Sequence, residues 1–149
     1  MITEKQQGRS TRVELYEIID AISEEKKPKA KVELIRHYLN TYTSFADYVR
    51  CVFDDRVQFL LPDSRPPFTP ALEGAVPSTW HKQNMKLTYF IKGLKGDQVQ
   101  TARRESIFIG MLESVHPKDA EILVDMVAKK TPCVGLTVKR VKEAIPNLL

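Results

Sequence analysis

Cysteine, histidine and glycine are all scarce in this chain of 149 residues, which holds two, three and six of them. The two cysteines, Cys51 and Cys133, stand 82 positions apart with no C-x-x-C and no histidine at metal-ligand spacing. Neither a disulfide framework nor a structural zinc is expected, and two inert thiols in a reducing compartment are the simplest reading. There is no G-x-x-x-x-G-K-[ST] phosphate loop and no H-E-x-x-H. Long apolar runs are missing too: nothing approaches the roughly 20 residues of a membrane span. Met1–Ser10 has no apolar stretch of the kind a secretory signal carries. A cytoplasmic protein that avoids the membrane is the expectation.

What is present is the balance of one soluble domain over residues 1–149: 42% apolar and 28% charged residues, with 23 Lys and Arg against 19 Asp and Glu. A domain of this size buries about 70% of its unfolded surface and needs no covalent staple. The net charge of +4 is mild but uneven. Met1–Glu25 carries −3, Trp80–Arg104 carries +5 and Met126–Leu149 carries +4. The basic excess lies in the second half, which suits either a one-sided footprint for a polyanion or separate solvated helix faces.

Apolar periodicity predicts an all-α fold of about six helices. Thr11-Arg-Val-Glu14 has the S/T-x-x-E form of a capping box, and Leu15, Ile18, Ile19 and Ile22 follow at i, i+3, i+4, i+7, ending before Pro28. Val32, Ile35 and Leu39 mark a second helix over Lys29–Asn40, with Lys31 and Arg36 on its outer face. Ser44 offers an N-cap for Phe45–Phe53. Val57–Leu61 is strand-like, but five of the nine prolines then fall within sixteen residues. Residues 62–79 therefore read as a long extended loop packed by Phe68 and Leu72, either an internal connector or a partner-contacting insertion. The helical pattern resumes over Trp80–Ile91 with Met85 inward, from Thr101 through Val115, and over Asp119–Lys130, with Thr137 capping the last helix.

No catalytic constellation emerges. His37, His81 and His116 each lack a nucleophile at a motif spacing, and His116 before Pro117 reads as a helix cap, so a non-enzymatic protein without cofactor or metal is expected. The segment with most chemistry is Lys129–Lys142. A glycine bend at Gly135 lets backbone approach a ligand, Thr137 opens a helix whose free amides face outward, and Lys129, Lys130, Lys139 and Arg140 supply cations around that point. Such a device holds sugar and phosphate without reading bases.

Three consecutive pieces carry a resemblance: Asp119–Lys130, the turn Thr131-Pro-Cys-Val-Gly135, and Leu136–Ile145 with its ending Pro146-Asn-Leu-Leu149. Together with the Ile107–Val115 helix and the tyrosines Tyr38, Tyr42 and Tyr48, they resemble the end of the N-terminal DNA-binding domain of ATP-dependent DNA ligases, especially the phage type. The resemblance implies an all-helical domain that holds duplex DNA across its minor groove by phosphate contacts. It assigns those contacts here to Gly135, Thr137 and Lys139, with Lys129, Lys130 and Arg140 as neighbours. No K-x-D-G adenylation motif is present, so ligation is not implied. The chain is similar to small accessory proteins of large tailed phages, which would place it in the host cytoplasm. The alternative is a phage accessory protein that binds a phage or host protein, as inhibitor, adaptor or virion component, through the proline-rich loop and Phe68, Trp80 and Tyr89.

Overall fold

The computed structural model describes residues 12–62 and 64–149. Among the described residues there are seven α-helices, α1 (Leu15–Glu24), α2 (Pro28–Thr41), α3 (Thr43–Phe53), α4 (Trp80–Gln83), α5 (Thr101–Leu112), α6 (Pro117–Val127) and α7 (Val138–Ala144), with short 3₁₀ turns over Glu73–Ala75, Asn84–Tyr89 and Lys95–Gln98. The fold is all-α. Its one β feature among the described residues is an isolated bridge between Phe59 and Ile91, where the strand-like run ends.

The apolar stripes do what their spacing demands. Leu15, Ile18, Ile19 and Ile22 of α1 are all buried, and they join Ile35, Phe45, Val49, Met111, Leu123 and Val141 in one continuous core. The first capping box lies one turn later than its sequence signature. Thr11 is outside the described residues; the Glu14 N–H donates to Glu17 Oε1 at 2.9 Å, and the helix begins at Leu15. The start is fixed there because the Tyr16 N–H donates to the Asp119 carboxylate on α6, at 2.7 Å.

Pro28 occupies the first turn of α2, where its missing N–H costs nothing. Ser44 lies inside α3 rather than capping it, the cap position being Tyr42. The Ser44 carbonyl accepts the Trp80 indole N–H at 2.8 Å, anchoring α4. Trp80 itself is fully buried.

Three local expectations are corrected. Trp80–Ile91 is not one helix but a single α turn followed by a 3₁₀ turn over Asn84–Tyr89, and Met85 points to solvent at 76% exposure. Leu87, Phe90 and Ile91 carry the burial instead, a spacing that the tighter turn satisfies. Leu72 is 77% exposed and does not pack the proline-rich loop. That loop is tied down elsewhere: the Thr69 N–H donates to Glu113 Oε2 at 2.7 Å, the Ser78 N–H to the Ser114 carbonyl at 2.8 Å, and Arg65 pairs with Glu121. It runs as a fastened connector along α5 and α6. Finally, Lys31 is buried, not outward.

Candidate nucleic-acid interface

α6 ends at Val127, before the two lysines expected in its last turn. The Lys130 N–H donates to the Asp125 carbonyl and the Lys129 N–H to that of Met126, both at 2.9 Å, a Schellman closure. Lys129 holds the left-handed position that glycine usually takes, with φ of 61°. Its side chain explains the choice. Lys129 Nζ donates to the carbonyls of Cys51 at 2.8 Å and Asp54 at 3.1 Å, closing the end of α3. Partial burial lowers its pKa. Lys129, though exposed, is thus a clamp between the end of α6 and the end of α3. Lys130 remains exposed.

The bend itself lies at the surface. Cys133 and Leu136 anchor it in the core, while Val134 between them is 64% exposed. Gly135 has φ of 83°, which an L side chain adopts only with strain. A Cβ there would sit 2.6 Å from Lys31 Nζ and 2.9 Å from an Arg140 guanidinium nitrogen. Lys31 Nζ donates to the Val134 carbonyl at 2.8 Å, and Arg140 donates back to the Gly135 carbonyl at 3.0 Å. Two cations thus grip the bend from opposite sides in sequence. Gly135→Ala is expected to lower stability by about 1–2 kcal/mol through left-handed strain and displaced cations, read as a lower thermal midpoint by circular dichroism.

Thr137 caps α7 as its sequence position predicts, its hydroxyl accepting the Arg140 N–H at 3.2 Å. α7 packs most extensively on α2. Arg36 completes that interface by donating to the carbonyls of Ala144 at 2.8 Å and Glu143 at 3.0 Å. α2 therefore supplies a cation to the bend before α7 and another to the end of α7. Between the two helices runs a groove of about 740 Å³ lined by Lys29, Thr137, Lys139 and Arg140, with Glu33 and Glu143 on its walls. Glu33 is committed to an ion pair with Arg36.

Of the six residues singled out from the sequence, Gly135, Thr137, Lys139 and Arg140 come together at this groove and bend, and neither Lys129 nor Lys130 lines it. Lys29 and Lys31 were missed. Nothing local marks them, because Lys31 reaches a carbonyl 103 positions away.

The other candidates resolve into structure. His116 Nδ1 accepts the Lys118 N–H at 3.0 Å, the cap expected of it. His81 Nδ1 lies 2.6 Å from Ser44 Oγ, a pairing that spacing did not suggest. His81 Nε2 faces the Val13 carbonyl at 2.6 Å, so Nε2–H donates there and Nδ1 accepts the serine proton. Ser44 is buried, and the dyad serves as a strut between α3, α4 and the start of the chain's described part. Of the aromatics expected to meet a protein partner, Trp80 is in the core, Phe68 is half-buried with the Arg65 guanidinium 4.5 Å from its ring centre, and Tyr89 is half-buried at the edge of a second groove.

The chain is thus an all-helical domain with a cation-rimmed groove beside an exposed bend. Among the described residues, no helix is long and apolar enough to cross a membrane. Residues 18–132 match the model of DUF6433, a family of unknown function, and the chain belongs to that family. The match runs from within α1 to just past the end of α6 and stops before Gly135. No curated protein and no solved structure matches the chain.

Proposed function

We propose that this protein is a non-enzymatic module that binds duplex DNA through its phosphate backbone, without base specificity. One observation carries the reading: Lys29 from α2 meets Lys139 and Arg140 from α7, with Thr137, in one groove beside a bend that the buried Lys31 holds in place. Cations drawn from two elements onto one open surface suit a polyanion better than a solvated single face does. The resemblance of residues 119–149 to the DNA-binding domain of phage-type ligases supports the same assignment. On this reading Lys139 and Lys29 make direct phosphate contacts, and Arg140 and Lys31 hold the bend while adding to its potential. The protein then works where its DNA is, in the host cytoplasm if the gene belongs to a phage.

The test is fluorescence anisotropy with a labelled duplex of about 20 base pairs, titrated from about 50 to 200 mM salt. With about 4 to 6 phosphate contacts, the slope of log K against log[salt] is expected near −4 to −5. Lys29→Glu together with Lys139→Glu should weaken binding to every sequence alike and make the slope shallower by about two. Absence of duplex affinity at the lowest salt, or a slope untouched by the double change, overturns the proposal.

A further inference from the structure

A second groove, of about 440 Å³, opens between the Asn84–Tyr89 turn and α5. Lys86, Tyr89, Arg103 and Ser106 line it, with Ile107 and Gly110 along the helix side. It differs in kind from the groove beside α7. No carboxylate lines it, whereas the other has Glu33 and Glu143 on its walls. Among the described residues neither Lys86 nor Arg103 takes part in an ion pair, although Arg36, Arg50, Arg56 and Arg65 all do. Tyr89 is half-buried, and Lys95 Nζ stands 5.6 Å from its ring centre.

Gly110 adds an independent sign. It sits inside α5, where glycine is the poorest helix former after proline. A Cβ at this position would meet nothing within 4 Å, so the protein's own packing does not require a glycine there. Its effect is to leave space beside the groove that any side chain would take.

An aromatic ring, two unpaired rim cations, a hydroxyl and no acid form the set that accepts a nucleotide, with the base stacked on the ring and phosphate on the cations. A free mononucleotide and a strand share that chemistry, and the surroundings favour the strand. Lys95 adds a third cation beside the Tyr89 ring, Lys82 and Lys92 are exposed on the same stretch of chain, and the lone acid between Trp80 and Arg104, Asp97, is engaged by the Gly93 N–H at 2.9 Å. We propose that this groove binds an unpaired segment of a nucleic-acid strand, one base stacked on Tyr89 with its neighbouring phosphates on Lys86 and Arg103. The site is separate from the α7 bend and stands whether or not duplex binds there.

The experiment uses the full chain and a fluorescein-labelled oligothymidylate of about 12 nucleotides, a length that covers one such site. Wild type is expected to bind it at low salt. Lys86→Glu with Arg103→Glu should weaken binding by about tenfold or more. Gly110→Gln changes no charge and its Cβ meets nothing within 4 Å, and it should still weaken binding by about tenfold as its side chain fills the groove. An abasic strand of equal length should bind about tenfold more weakly than oligothymidylate. Lys29→Glu with Lys139→Glu should weaken duplex binding more than oligothymidylate binding, and Gly110→Gln should do the reverse, so that failure here and failure of the duplex reading are told apart. Circular dichroism checks each fold; if the double variant unfolds, Gly110→Gln and the abasic strand decide. Equal affinity for the abasic strand, no effect of Gly110→Gln, or displacement by equimolar thymidine monophosphate or polyglutamate overturns the proposal.

Discussion

Arg104→Ala is expected to cost about 3 kcal/mol of folding stability, seen as a lower urea midpoint with an unchanged slope. Arg104 is buried on α5 although its neighbour Arg103 is exposed. Its guanidinium donates to the carbonyls of Leu60 at 3.0 Å and Gly96 at 2.8 Å, and also to that of Val99. These acceptors belong to segments without an α-helix: the run before the prolines, and the 3₁₀ turn over Lys95–Gln98 with the residue that follows it. Truncation strips part-buried carbonyls of Leu60 and Val99 of the guanidinium, leaves the Gly96 carbonyl with the Val99 N–H alone, and opens a cavity, and each loss is costly. Arg104→Lys should recover only part of the stability, because one ammonium cannot fork toward three acceptors. Since Val99 also borders the second groove, oligothymidylate binding should fall with stability in the alanine variant.

The second large effect is a pH dependence centred on Asp119. This carboxyl is fully buried in the first turn of α6, and it also accepts the Tyr16 N–H in the first turn of α1. Two helix N-termini converge on it and favour its charge, yet Oδ2 has no hydrogen-bond partner. Desolvation is the larger influence, and it pushes the pKa from 3.8 to about 7, with Glu14 and Glu17 adding to the rise. A folded pKa above the unfolded one means that the folded state binds the extra proton. The stabilising contribution of Asp119 is therefore complete below about pH 4 and is lost as pH rises to about 7. Over that window its loss amounts to as much as about 4 kcal/mol, and above it the curve is flat. Asp119→Asn keeps an acceptor for Tyr16 and removes the titration. The difference between the two stability curves should rise in favour of the variant between about pH 4 and 7; parallel curves would remove Asp119 as the cause.

The helices with unbroken stripes were legible in the sequence because their periodicity is local. α1 to α3, the start of α5 at Thr101 and the Thr137 cap all follow from neighbours within one or two turns. The Gly135 bend was legible for the same reason, since a positive φ leaves its mark on a single residue. The charged residues were not. Lys31 and Arg104 look solvent-bound by type but are buried on long apolar stems with their heads on carbonyls of other elements, and Lys129, though exposed, spends its ammonium on two carbonyls at the end of α3. The local charge count over Met126–Leu149 therefore overstated the free positive surface at the bend, while the count over Trp80–Arg104 hid which lysines and arginines remain unpaired. The Trp80–Ile91 segment misled for another reason: two adjoining turn types share the i, i+3 spacing, and only the exposure of Met85 distinguishes them.

The two cysteines have a practical consequence. Burial raises the Cys51 thiol to about 12 and that of Cys133 to about 11, so both are protonated and shielded in the native protein. Alkylating dyes should therefore ignore them until the chain opens. A reporter cysteine placed at an exposed site such as Ser106 could be derivatised selectively with the native pair left in place. The slow reaction of that pair would serve in the same sample as a clock for global opening.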